Sequence, residues 1–435
     1  MFVLVSKANP MGRTLNKKSV FWISISLLFI AAGISGIVWL LFQGLEYVIP
    51  HRLASSLFPS SQAEGLSSEH DQATPIPELQ SLAKQNRKNI KPLPETKLRQ
   101  AFITHFSSRA LTAKESQKLA HKNSGEYEYA IKQKLYDFQF IPLSELDKEN
   151  QEKRSRTPYG FWHLKLFYQA AQEEGERYNQ NVPGIYESKL EEWKTLAPKS
   201  VTPYLLQADF HIHKAWKGRG SGFSSSVTVA GYKTMEKELK LALKELDQAE
   251  KIDNTHPFIP VFKLICFKGL GENKTKSWQI FKTAYQQFPG FTPLYSEMGE
   301  QLKHKWFGAE GEYLQFLDWI YLQEQEKSPE EAAHLYANLA IGMADCYYDD
   351  PEDSVQDYPL NWPLILKGSV IKDKTYPMDR KYLNTLAWLA CGFKDKAAAK
   401  ALFQVIGEDY SKRVWDSESQ FKKYKAWANA ESSPE

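Results

Sequence analysis

Cysteine is scarce in this chain: Cys266, Cys346 and Cys391 are the only three among 435 residues. None has the paired spacing that holds zinc or staples a small secreted fold, so all three read as core thiols. An excess of one charge is missing too. The 55 basic and 52 acidic residues nearly cancel, leaving no electrostatic footprint for a phosphate backbone, and nucleic acid is not an expected partner. The motifs of familiar chemistry are also lacking. No His-Glu-x-x-His string and no Gly-x-Ser-x-Gly elbow occurs. Gly222 to Gly231 is too long for a nucleotide loop, and Tyr232 separates that glycine from Lys233-Thr234. Asp209, His211 and His213 hint at a metal, but on a helix the two histidines point about 200° apart. Asp345, Asp349, Asp350, Glu352 and Asp353 cluster around Pro351 without the ligand alternation and central glycine of a calcium loop. No metal and no cofactor is therefore expected.

One long apolar run is present. From Ser19 to Phe42 the chain carries no charge, and at about 1.5 Å per residue it spans a hydrocarbon core of about 30 Å. It is too long for the apolar region of a cleaved signal peptide, about 7–15 residues, and no small-x-small site closes it. The run reads as an uncleaved transmembrane anchor. Lys7, Arg13, Lys17 and Lys18 precede it with no acidic residue among them. The positive-inside bias then puts residues 1–18 in the cytoplasm and the bulk of the chain outside.

Residues 43–96 follow as a Pro/Ser-rich tether, with Pro59, Pro75, Pro77, Pro92 and Pro94 set against regular structure. Residues 97–430 are helical in pattern nearly throughout, and 431–435 form a disordered tail. The clearest stripe, Leu239, Ala242, Leu243, Leu246, Ala249 and Ile252, can bury one face and leave Lys240, Lys244, Glu245 and Lys251 in water. Prolines at short intervals permit helices of about ten to twenty residues joined by tight turns. Ala242, Leu246 and Ala249 have the spacing of the second helix of a tetratricopeptide unit. Phe281, Ala284 and Pro289 repeat its later positions, and Tyr313, Leu317 and Ile320 give a weaker echo. The expected fold is all-α: a right-handed, tetratricopeptide-like stack of helical hairpins, an α-solenoid, behind one N-terminal transmembrane helix.

Several strings then stand in order along the chain. Gly160-Phe-Trp162-His-Leu164 through Tyr168 comes first, then Trp216-Lys-Gly-Arg219-Gly220-Ser-Gly222, then Pro293-Leu294-Tyr295 leading to Lys305-Trp306-Phe-Gly308. The tail adds Asn384 through Cys391, Leu402-Phe403, Ile406-Gly407, Trp415 and Trp427. Over residues 127–430 this series resembles the bacterial family known as domain of unknown function 4034, whose members are tetratricopeptide-like. His304-Lys305 departs from it, standing where a Pro–basic pair would be expected, so the turn there should differ. The resemblance implies a fold and no established activity.

The longest helix-breaking stretch of the folded part runs from Trp216 to Thr228. Glycines let backbone N–H groups converge, and an arginine between them can clamp a carboxylate or phosphate through two parallel hydrogen bonds. A helix beginning near Val229 with Thr228 as N-cap would add its positive end. Trp216, Arg219, Gly220, Ser221 and Gly222 are the candidate ligand-binding residues; the alternative is a structural loop whose arginine ties down carbonyls. No catalytic residue stands out. The expected function is a protein-interaction or scaffolding module of the bacterial cell envelope, anchored in the inner membrane with its main domain in the periplasm and a protein or peptide as partner. The alternative is an enzyme acting on an anionic envelope substrate at loop 216–228.

Overall fold

A computed structural model describes residues 75–86, 94–222, 224–343, 351–357 and 359–430. The expected anchor, residues 19–42, lies outside them, as does the tether up to residue 74. Among the described residues no helix is long and apolar enough to cross a membrane. The fold is all-helical: those residues hold eighteen α-helices and no strand, only an isolated antiparallel bridge between Arg156 and Trp162.

In chain order the helices are α1 (Pro77–Asn86), α2 (Glu95–Ser107), α3 (Ala113–Tyr136), α4 (Phe140–Lys153), α5 (His163–Asn181), α6 (Ile185–Leu196) and α7 (Thr202–Arg219). Then come α8 (Val229–Ile252), α9 (Phe258–Leu270), α10 (Lys274–Gln287), α11 (Thr292–Gln301), α12 (Glu312–Gln325) and α13 (Pro329–Met343). The last are α14 (Pro351–Asp357), α15 (Trp362–Thr375), α16 (Arg380–Gly392), α17 (Lys396–Ile406) and α18 (Glu418–Asn429). Local chemistry sets many of these starts. Thr112 and Glu115 form a reciprocal capping box at α3, and Asn361, Asp379, Asp395 and Ser417 cap their helices through side-chain oxygens.

The helical stripe of α8 is buried as its spacing requires, with Leu239, Ala242, Leu246 and Ala249 all excluded from solvent. So are Phe281 and Leu317, and Ala284, Tyr313 and Ile320 are buried with them. Lys240, Lys244 and Lys251 reach water, whereas Glu245 is half-buried and pairs with Lys194 at 2.8 Å.

Packing joins both neighbours and alternate helices. α3 rests on α5, α5 on α7, α7 on α9, α9 on α11, α11 on α13 and α13 on α16, while α16 returns to α3. The array closes on itself. α2 adds to the closure by packing against α15 and α17. Polar bonds clasp the same seam: Arg99 Nε donates to Asp395 at 2.8 Å, and His105 and Arg109 converge on Asp373 at 2.9 Å each.

Two further features differ from the pattern read in the sequence. Pro77 does not prevent regular structure, because proline at a helix start lacks only an N–H that would have no partner there. The helix that begins at Pro77, α1, packs on α12. The Ile76 N–H donates to Glu312 at 2.7 Å, and Glu78 accepts from Trp278 at 3.1 Å and Lys282 at 2.6 Å. Near the loop, Gly218 does not break α7, which runs on to Arg219.

Candidate functional site

α7 ends where Gly220 takes a φ of +82° and its N–H returns to the Trp216 carbonyl. A short 3₁₀ turn over Ser224–Ser226 follows, and Thr228 caps α8 by accepting from the Gly231 N–H at 3.0 Å. The two helices meet closely at Gly218. A Cβ on Gly218 would lie 2.7 Å from the Thr234 methyl group. α7 and α8 therefore approach closely beside the loop.

Arg219 does two things in this setting. Its Nη1 donates to the Gly220 carbonyl at 3.1 Å and the Gly222 carbonyl at 3.0 Å. This is the carbonyl-tying role, within the loop itself. Its Nε and Nη2 make no hydrogen bond to a described residue, and its guanidinium lies 5.8 Å from the Trp216 ring and 5.9 Å from the Trp306 ring. Those remaining donors suit a carboxylate or phosphate.

Trp306 comes from a later string of the series. It meets Trp216 edge to face with centroids 5.6 Å apart, the arrangement that ring quadrupoles favour. Lys268 of α9 lies 5.6 Å from the Trp216 centroid and 5.4 Å from that of Trp306, and pairs with Glu297 at 3.3 Å. The turn that delivers Trp306 is built around Gly308, where a Cβ would fall 1.9 Å from the Leu302 carbonyl oxygen. The Trp306 indole N–H donates to Glu300 at 3.0 Å, fixing the ring. Burial pushes the Glu300 carboxyl up, but ion pairs with Lys303 and Lys305 outweigh it and bring it down to about 2.

On its other side Trp216 borders an open concavity of about 690 Å³, lined also by Glu176, His213, Lys217, Gly220 and Ser221. Glu176 takes His213 at 2.6 Å and Lys217 at 2.7 Å. Burial raises the Glu176 carboxyl, and the bonds from Lys217 and His213 more than reverse it. Of the candidate residues, Trp216, Gly220 and Ser221 line this hollow, whereas Arg219 and Gly222 serve the loop beside it. Trp306, Lys268 and Glu176 were not among the candidates. Trp306 had a visible signal in its Lys-Trp-Phe-Gly string; Lys268 and Glu176 had none.

His211 and His213 do not share a ligand position. His211 Nδ1 bonds Glu238 at 2.7 Å while His213 turns to Glu176. Among the described residues no group of three or more His, Cys, Asp or Glu could hold a metal ion. Asp209 is enclosed near Tyr168, Tyr186 and Cys266, and burial pushes its carboxyl up to about 7. Asp345, Asp349 and Asp350 lie outside the described residues; Glu352 pairs with Lys394 at 2.9 Å. Cys266 and Cys391 are buried, and Cys346 lies outside the described residues. No family model, curated protein or solved structure matches the chain.

Proposed function

We propose that the protein is a membrane-anchored helical-repeat binding module of the bacterial cell envelope. In this reading residues 19–42 hold it in the inner membrane, and its domain faces the periplasm. There it takes an anionic segment of a protein or peptide on the face formed by Trp216, Trp306 and Arg219. The domain would be made of tetratricopeptide-like hairpins, as the resemblance to the 4034 family implies, wound until the array closes. One observation carries the binding face: two tryptophans ninety residues apart in sequence meet at 5.6 Å beside an arginine with donors to spare. Large rigid rings with an adjacent arginine are the composition of binding hot spots.

A second reading has its own observation. His213, oriented by Glu176, lines the same hollow as Ser221, which is the skeleton of an acid–base site acting on an anionic envelope substrate. Among the described residues no hydrogen bond joins His213 to Ser221, so binding is preferred.

The test uses the full-length chain with Cys346→Ser and Ser221→Cys, treated in spheroplasts with a membrane-impermeant photo-crosslinker. Labelling without lysis is expected from the proposed orientation, and labelling only after lysis would refute it. A discrete adduct that disappears with Trp306→Ala is expected from the proposed face. An adduct indifferent to that substitution would remove Trp306 from the site.

A further inference from the structure

Far from Trp216 in sequence, the bridge between Arg156 and Trp162 closes a tight turn whose Gly160, at φ +83°, lies against the Tyr376 ring. The Arg156 guanidinium sits 3.8 Å above the Trp162 centroid and 5.6 Å from that of Tyr376. Its Nη2 donates to the Gly290 carbonyl at 3.2 Å. No carboxylate among the described residues is within ion-pairing distance of it. Lys372, in the last turn of α15, is in the same condition. Its ammonium stands 5.0 Å from the Tyr382 centroid and makes no hydrogen bond or ion pair with a described residue.

The acidic groups that could neutralise the two cations are engaged elsewhere. Asp373 is held by Arg109, His105 and the Met378 N–H, and Asp379 caps α16 by accepting from the Tyr382 N–H at 2.8 Å. Burial disfavours the charge on Lys372; Asp379 and, less strongly, Asp373 offset part of that at longer range, while Arg156 nearby adds to it. Holding two like charges close together, half-buried and with no carboxylate of a described residue in ion-pairing contact with either, is costly. Aromatic faces compensate for part of that cost. They do not supply the two-oxygen partner that a guanidinium fork is shaped for.

We propose that Arg156 and Lys372, walled by Trp162, Tyr376 and Tyr382, bind a small oxyanion carried as a carboxylate or phosphate group. Arg156 fixes its orientation through the donors not used by Gly290. Lys372 supplies the second charge. The site is independent of the Trp216–Trp306 face and does not rest on the function proposed for it.

Inorganic phosphate and succinate, each titrated calorimetrically into the full-length chain at constant ionic strength set with chloride, test this. Saturable binding of one or both is expected, and which of them binds identifies the group recognised. Lys372→Met should weaken that binding at least tenfold, while the exposed neighbour variant Lys374→Met binds as the parent does. Arg156→Lys should weaken it severalfold, because charge survives without the fork. In the absence of anion, Lys372→Met should melt at a temperature equal to or higher than the parent, since an uncompensated charge has been removed. Absence of saturable binding by either probe, unchanged binding in Lys372→Met, or a marked fall in its melting temperature without anion would each overturn the proposal.

Discussion

Asp209 shows how burial alone can set a side chain's behaviour. It lies on α7 between residues that carry the helix core, and no described group donates a hydrogen bond to its carboxylate. Burial raises its carboxyl to about 7. The folded state then holds a proton that the unfolded chain, with an ordinary carboxylate near 4, gives up. Between about pH 4 and about pH 7 the folded protein binds more protons, so stability should fall as pH rises through that window. Asp209→Asn removes the titration. It should raise stability by several kcal/mol, on the order of 4, at about pH 8 and change little at about pH 4, as read by chemical denaturation. A variant less stable than the parent at both pH values would show that Asp209 serves the fold as a charge. The sequence named this residue as part of a metal hint, because proximity to His211 and His213 was visible while enclosure was not. Arg219 was legible only in part for a related reason. The pattern Gly-Arg-Gly announces a constrained loop, but which way its donors face depends on the turn, and the turn puts Nη1 on two carbonyls while Nε and Nη2 bond no described residue. The buried pair of Lys274 and Glu312, 2.5 Å apart, was not legible at all. Neither residue stands out from the many surface charges until the chain brings them together.

Helices were the most legible level, since apolar spacing and caps are local. Thr228 before Val229 is read correctly from side-chain chemistry, and the stripe of α8 is buried where its spacing puts it. The prolines misled at α1, where the rule that proline breaks helices gives way to its tolerance at a helix start. Close approach between helices was also hidden, because a glycine inside a helix looks like a weakness in the sequence. Gly368 in α15 is such a case. A Cβ there would stand 2.0 Å from the Ala333 carbonyl oxygen and 2.7 Å from the Ala337 methyl group, both on α13. The obstacle is backbone, so the two helices would have to move apart. On helix propensity alone Gly368→Ala should stabilise by up to about 1 kcal/mol. Overpacking reverses the sign, and a net loss of about 1–3 kcal/mol is expected in denaturant unfolding. A stabilised variant would mean that α13 and α15 are not packed this closely.

The closure of the array belongs to the whole chain and left no mark in local sequence. It depends on partners more than 250 residues apart, such as Arg109 with Asp373 and Met378. Arg109 is buried and spends its guanidinium on the Asp373 carboxylate, the Met378 carbonyl at 2.9 Å and the Ser116 hydroxyl at 2.9 Å. Asp373 is raised by burial, yet the bonds from His105, Arg109 and the Met378 N–H hold it below the usual carboxylate range. Asp373 is thus ionised throughout the physiological range. Arg109→Met keeps much of the side-chain volume and removes the charge, leaving Asp373 buried with only part of its compensation. Breaking a buried pair in this way costs about 3–5 kcal/mol. How that loss spreads distinguishes a closed array from an open one. In an open stack each repeat leans only on its neighbours, and a defect at one end frays that end alone. Here α2 is packed on α15 and α17, and α3 on α16, so loosening the seam exposes both ends of the chain at once. Hydrogen exchange on Arg109→Met should therefore show protection lost together in α2, α3 and α15 through α17, with α8 to α11 retained longer. Loss confined to α2 and α3, with the C-terminal helices as protected as in the parent, would mean that the seam does not couple the two ends.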